Sequence, residues 1–151
     1  VEQFTVSLRQ DHSQSAEGAR PATNSRRHLI DAAGKPTISG SAAAAFHGEP
    51  SRWNPEELFI AALGQCHVLS YLFVAARDSI EVFDYACEAT GILEWDASGA
   101  GQITTVTLRP AVRVRPDQAE QALALHEQAH KLCFIARSVS CEVTVKPELM
   151  A

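Results

Sequence analysis

The chain has 151 residues, 46% of them hydrophobic and 21% charged, the composition of a folded protein rather than a disordered one. One core serves about that length of chain, so a single domain over residues 1–151 is expected. Thirteen Lys and Arg against eighteen Asp and Glu leave a formal net charge of -5, which disfavours a general nucleic-acid binder, since phosphates demand a basic surface.

Phe4, Val6 and Leu8 alternate with Thr5 and Ser7, so Val1 to Leu8 reads as a strand. This segment lacks the basic start and apolar middle of a secretory signal. Uninterrupted apolar runs such as Phe59 to Leu63 fall far short of the ~20 residues that cross a bilayer. A cytoplasmic protein without membrane contact is expected. Cys66, Cys87, Cys133 and Cys141 then serve as core filler, metal ligands or redox groups, being too few and too widely spaced for a disulfide scaffold. Asp11 to Asn24 reads as a loop, Arg26 to Ile30 as a short strand closed by a turn at Gly34–Pro36, and Gly40 to Arg52 as a small-residue loop with Phe46 as its one large anchor.

Asn54, Pro55, Glu56 and Glu57 form a helix-start signal: an Asn cap, Pro at the first helical position, and acids where unpaired amides favour negative charge. Phe59, Ala62, Cys66, Leu69 and Phe73 recur at helical spacing as far as Arg77, predicting a helix with Cys66 in its apolar stripe. His67 points about 100° away from Cys66 and reads as structural or at the rim. Ile80 to Trp95 and Gln102 to Val114 predict a long antiparallel hairpin. Ala119, Ala122, Leu125, Ala129, Leu132 and Cys133 predict a second helix from Gln118 to about Phe134, and Val139 to Val145 a final strand. The order predicts an α+β fold with helices on one face of a mainly antiparallel sheet.

Two helices over one sheet can bring Cys66 and Cys133 within reach of each other, although each also fits as a small buried hydrophobe. His126, His130 and Cys133 stand at i, i+4 and i+7, and with Cys66 they offer the donors of a four-ligand zinc site without matching a known zinc spacing. Glu56 and Glu57 are helix-start residues first; either can also fix the plane of an arginine, with Arg26 and Arg27 as candidates.

The run Arg52-Trp53-Asn54-Pro55-Glu56-Glu57-Leu58 through Gly64-Gln65-Cys66-His67 resembles the Asn-Pro-Glu-Glu-Leu…Cys signature of the OsmC/Ohr family, the osmotically inducible and organic hydroperoxide resistance proteins. Ala129-His130-Lys131-Leu132-Cys133-Phe134-Ile135-Ala136 is similar to that family's second-cysteine segment. The resemblance implies an OsmC-like fold with antiparallel sheets and two long central helices, in an intertwined homodimer. It implies Cys66 as the peroxide-reacting cysteine, Cys133 as the resolving one, and Glu56 as the holder of an activating arginine, placed at Arg26 with Arg27 close behind.

The implied reaction reduces organic hydroperoxides, with hydrogen peroxide a second candidate, through a Cys66 sulfenic acid and a Cys66–Cys133 disulfide that an external dithiol reopens, with no cofactor and no metal. Phe46, Leu69 and Phe134 are expected as apolar walls for the substrate. The chain departs from the commoner pattern at Cys87, Cys141 and Gln65; packing is the default role for the first two. The alternatives are a non-catalytic relative that binds a small apolar ligand or zinc in the same cleft, and a purely structural dimer.

Overall fold

The computed structural model describes residues 1–13 and 24–151, so most of the loop expected between Asp11 and Asn24 lies outside the described residues. The chain divides into two compact units, Val1–Leu58 and Phe59–Ala151, and each is described by itself.

In the first unit, β1 (Ser7–Gln10), β2 (His28–Asp31) and β3 (Ile38–Gly40) form an antiparallel sheet in that order. β1 begins later than the alternation of Phe4, Val6 and Leu8 predicts, and all three of those side chains are exposed, so the pattern marks no buried face within this chain. Gly34, at φ +73°, turns the chain between β2 and β3, a conformation open to glycine at little cost. β3 was missed because three residues carry no readable period. Phe46 lies in a short 3-10 turn and is 38% exposed.

Helix α1 runs from Pro55 to Arg77, the span that its start signal and period predict. Its first turn is a reciprocal capping box. Asn54 Oδ1 accepts from the Glu57 amide at 2.8 Å, and Glu57 Oε2 accepts from the Asn54 amide at 3.3 Å. With a mean hydropathy of 1.8 over its best 18-residue window, α1 is long and apolar enough to cross a membrane by length and composition alone. An uninterrupted-run criterion overlooks this, because Gly64, Gln65 and His67 break the run without lowering the average much.

In the second unit, β4 (Val82–Trp95) and β5 (Gly101–Val114) make the expected antiparallel hairpin. On its other side β5 pairs in parallel with β6 (Glu142–Val145) and with the two-residue β7 (Glu148–Leu149). The sheet is therefore mixed. The pairing is mainly antiparallel, as expected; the short parallel pairs were not foreseen, since strand order in the sequence does not reveal which side of β5 a late strand joins.

Helix α2 spans Ala119–Leu132. Tyr71, Val74 and Ala75 of α1 pack with Ala122, Leu125 and Ala129 of α2 and with Val112 of β5; Leu63 packs with Val106 and Leu108. At Gly91 on β4 an added Cβ would come within 2.6 Å of Ile60 Cδ1, so the absent side chain is what lets α1 approach the sheet there. Cys87 and Cys141 are partly buried against the Leu63 cluster, a packing role as expected. Burial raises the Cys87 thiol above its ordinary value.

Candidate active site

Helix α1 buries Leu63, His67, Tyr71 and Val74, not the row through Leu69 and Phe73 that its period suggested. A helix apolar on nearly every side has no phase for periodicity to find. His67, read from sequence as structural or at the rim, is fully buried, which fits the structural reading, and so is His126 of α2. His67 Nε2 and His126 Nδ1 lie 3.0 Å apart and share a hydrogen bond. The Tyr71 ring stacks on His126 with centroids 4.0 Å apart, and the Tyr71 hydroxyl donates to the Ala122 carbonyl at 3.2 Å.

This polar layer sets the register of the two helices, because a slide of one residue would strand its buried donors and acceptors. Burial is the first cause that pushes both imidazoles down to about 4; His130 adds to it at His67, and His67 at His126. At neutral pH both are uncharged.

The same register brings together the sulfurs that sequence nominated. Both cysteines are reduced, Cys66 partly open and Cys133 fully buried. Burial first, then the neighbouring Cys66 sulfur, pushes Cys133 up to about 11. Cys133 is therefore a thiol at neutral pH, which leaves Cys66 as the sulfur open to solvent.

Past the end of α2 the chain turns sharply, with Cys133 extended and a 3-10 turn at Ala136–Ser138. The Ile135 amide donates to Cys66 Sγ at 3.4 Å, and the Ala136 amide to Cys133 Sγ at 3.4 Å. No sequence motif announces a backbone donor, so the sequence reading contains neither.

The zinc arrangement that the spacing allowed does not form. Among the described residues no three His, Cys, Asp or Glu side chains are grouped to hold a metal ion. His126 Nδ1 is engaged by His67, and the extended backbone at Cys133 takes that side chain out of the helical row of His126 and His130. Leu69 and Phe134, nominated as walls, are 61% and 79% exposed in the single chain.

Arg26, Arg27, Phe46 and Glu56 belong to the first unit. Arg26 is exposed. Arg27 Nε pairs with Glu49 Oε2 at 2.7 Å, and Arg52 reaches the same carboxylate oxygen at 3.3 Å and Asp11 at 2.7 Å. Hydrogen bonds from Ser13, and after them Arg52, hold the Asp11 carboxyl well below the usual range. Glu49 is thus a carboxylate that holds two arginines, Arg27 and Arg52. Among the described residues Glu56 Oε2 is buried without a hydrogen-bond partner. The Arg–Arg–Glu–Asp group was missed because its members are far apart in sequence and each reads singly as a surface charge.

A mixed sheet under two helices, with a reduced thiol pair at their junction, defines an α+β protein with a dithiol site. The family model of OsmC-like proteins matches residues 48–148, and the chain belongs to that family.

The uncharacterised protein YmaD of Bacillus subtilis is 30% identical over 91 residues, 60% of this chain; the match spans only 57% of that relative's length. An OsmC-like protein of unknown function from Vibrio cholerae superposes with a TM-score of 0.81 at 30% identity, covering 97% of this chain and 99% of that one. The organic hydroperoxide resistance protein OhrB of Bacillus subtilis superposes with a TM-score of 0.63 at 24% identity over 99% and 98% of the two chains. An organic hydroperoxide resistance protein OsmC from Legionella pneumophila gives 0.70 at 18% identity over the whole of both. These last two share the fold.

Proposed function

We propose that the protein is a cytoplasmic thiol peroxidase that reduces organic hydroperoxides, working as a homodimer of single OsmC-like domains and regenerated by an external dithiol. The observation that carries this reading is a partly open sulfur, Cys66, beside a buried thiol, Cys133. Membership of the OsmC-like family and the fold shared with proteins named for hydroperoxide resistance support it.

The Cys66 thiolate attacks the terminal, hydroxyl-bearing oxygen of the hydroperoxide. An S–O bond forms and the O–O bond breaks; the electron pair leaves on the alkoxide, which takes a proton to become the alcohol, while sulfur is oxidised by two electrons to a sulfenic acid. Cys133 then attacks the Cys66 sulfur. The S–S bond forms, the S–O bond breaks, and the departing hydroxide joins the Cys133 proton as water. Two thiols of the reductant reopen the disulfide by exchange and are themselves oxidised to one.

A buried resolving thiol suits this sequence, because it does not compete for peroxide and spends its proton on the leaving hydroxide. Leu69 and Phe73 on the open side of α1 are apolar surface that a second copy would cover, which supports the dimer, and Leu69 and Phe134 serve as walls for an organic group. Arg26 and Glu56, as the activating pair, and Phe46, as a further wall, enter the proposal from the family resemblance alone.

The test is consumption of cumene hydroperoxide with a dithiol reductant. Cys66→Ser is expected to bring turnover to background, and Cys133→Ser to give one turnover followed by overoxidation of Cys66 to the sulfinic acid, read by mass spectrometry. Equal turnover in wild type and Cys66→Ser overturns the proposal.

A further inference from the structure

The turn that follows α2 aims one backbone amide at each sulfur. The Ile135 N–H donates to Cys66 Sγ at 3.4 Å, and the neighbouring Cys133 sulfur also feels this amide. Ala136 serves Cys133 in the same way. The turn is held from within: the Arg137 amide donates to the Cys133 carbonyl at 3.1 Å, the Ser138 amide to the Ile135 carbonyl at 3.0 Å, and the Ser138 hydroxyl to the Phe134 carbonyl at 2.7 Å. The donor is therefore fixed before any charge appears on sulfur, the condition under which a dipole stabilises an anion without a cost of reorganisation.

We propose that the backbone N–H of Ile135 is a catalytic group of the thiol site, donating to the Cys66 sulfur and stabilising its thiolate from within the same unit. The inference deepens the peroxidase reading by naming a second source of activation beside the expected arginine. It concerns the ionisation of Cys66 and stands apart from which electrophile that sulfur meets.

Ile135 has φ -69° and ψ -43°, a backbone that proline adopts, so Ile135→Pro deletes the N–H without asking residue 135 itself to change conformation. Ile135→Ala removes the same side chain and keeps the N–H, and is the reference. Alkylation of Cys66 by iodoacetamide at pH 7, followed residue by residue with mass spectrometry, is expected to be roughly three- to tenfold slower in Ile135→Pro than in Ile135→Ala. Equal rates in the two folded variants overturn the inference.

Should Ile135→Pro fail to fold, the wild-type protein supplies the reading. The Ile135 amide proton is expected to move downfield as Cys66 ionises, a movement absent from Cys66→Ser; an amide indifferent to that titration overturns the inference equally. Slowed alkylation without peroxide turnover would instead defeat the peroxidase reading and leave this one standing.

Discussion

Two polar places lie between α1 and α2, and they are built in opposite ways. Around Cys66 and Cys133 each sulfur has a backbone amide, and one sulfur is partly open. Around His67, Tyr71 and His126 everything is buried, and among the described residues His67 Nδ1 and His126 Nε2 have no hydrogen-bond partner. The sulfur site is donor-rich and accessible, as a group that must carry and lose charge requires. The imidazole layer is closed and neutral, and its stacked rings and single shared hydrogen bond serve alignment. In the proposed reaction the first place carries the chemistry, while the second holds the two helices in register.

The comparison breaks most visibly at His126. Replacing this fully buried ring by alanine leaves a cavity beneath Tyr71 and strips His67 Nε2 of its partner. The expected loss is about 4 kcal/mol, or roughly 10 °C in Tm, together with slower closure of the Cys66–Cys133 disulfide. A Tm within about 2 °C of wild type, measured by calorimetry, would show that the layer does not set the register.

Acid sharpens the contrast. A neutral imidazole whose folded pKa is about 4, against 6.5 for the ordinary group, gains no proton on unfolding above pH 6.5. Below that pH the unfolded chain binds protons that the folded chain refuses, so stability is fully present above 6.5 and is lost as pH falls from 6.5 towards 4. Between pH 7 and pH 5 the expected loss is about 2 kcal/mol for each imidazole. Denaturant unfolding at the two pH values measures it, and a His67→Leu/His126→Leu variant should show a flatter profile. The depressed carboxylates, Asp11 and Asp31 among them, act in the other part of the range, nearer their ordinary value of 3.8.

A smaller effect is expected at the start of α1. Asn54→Ala removes the cap on the Glu57 amide and should cost about 1 kcal/mol in denaturant unfolding while leaving the alkylation rate of Cys66 unchanged. A changed rate would mean that the helix start and the thiol site are coupled.

Legibility in the sequence followed the physics of each feature. The start of α1 was readable because Asn54, Pro55 and Glu57 each answer a local need of a helix end, and the β4–β5 hairpin because fourteen-residue strands display their alternation. The buried side of α1 was not readable, since Leu69 and Phe73 on the open side are as apolar as Leu63 and Val74 on the closed one. β7 and the parallel pairing of β6 depend on contacts with β5 that no local pattern encodes.

Cys66 and Cys133 stood out through their motifs. His67 and His126 were visible only as separate residues, their bond being a product of the helix–helix register. The amides of Ile135 and Ala136 are common to nearly every residue type and become informative only when the backbone aims them.

The most direct test of the account is to treat the fully reduced protein with one equivalent of cumene hydroperoxide, without reductant, and map the thiols by mass spectrometry. The account predicts an intrachain Cys66–Cys133 disulfide, with Cys87 and Cys141 still free. Peroxide left unconsumed with all four thiols intact, or a disulfide that bypasses Cys66, would contradict it.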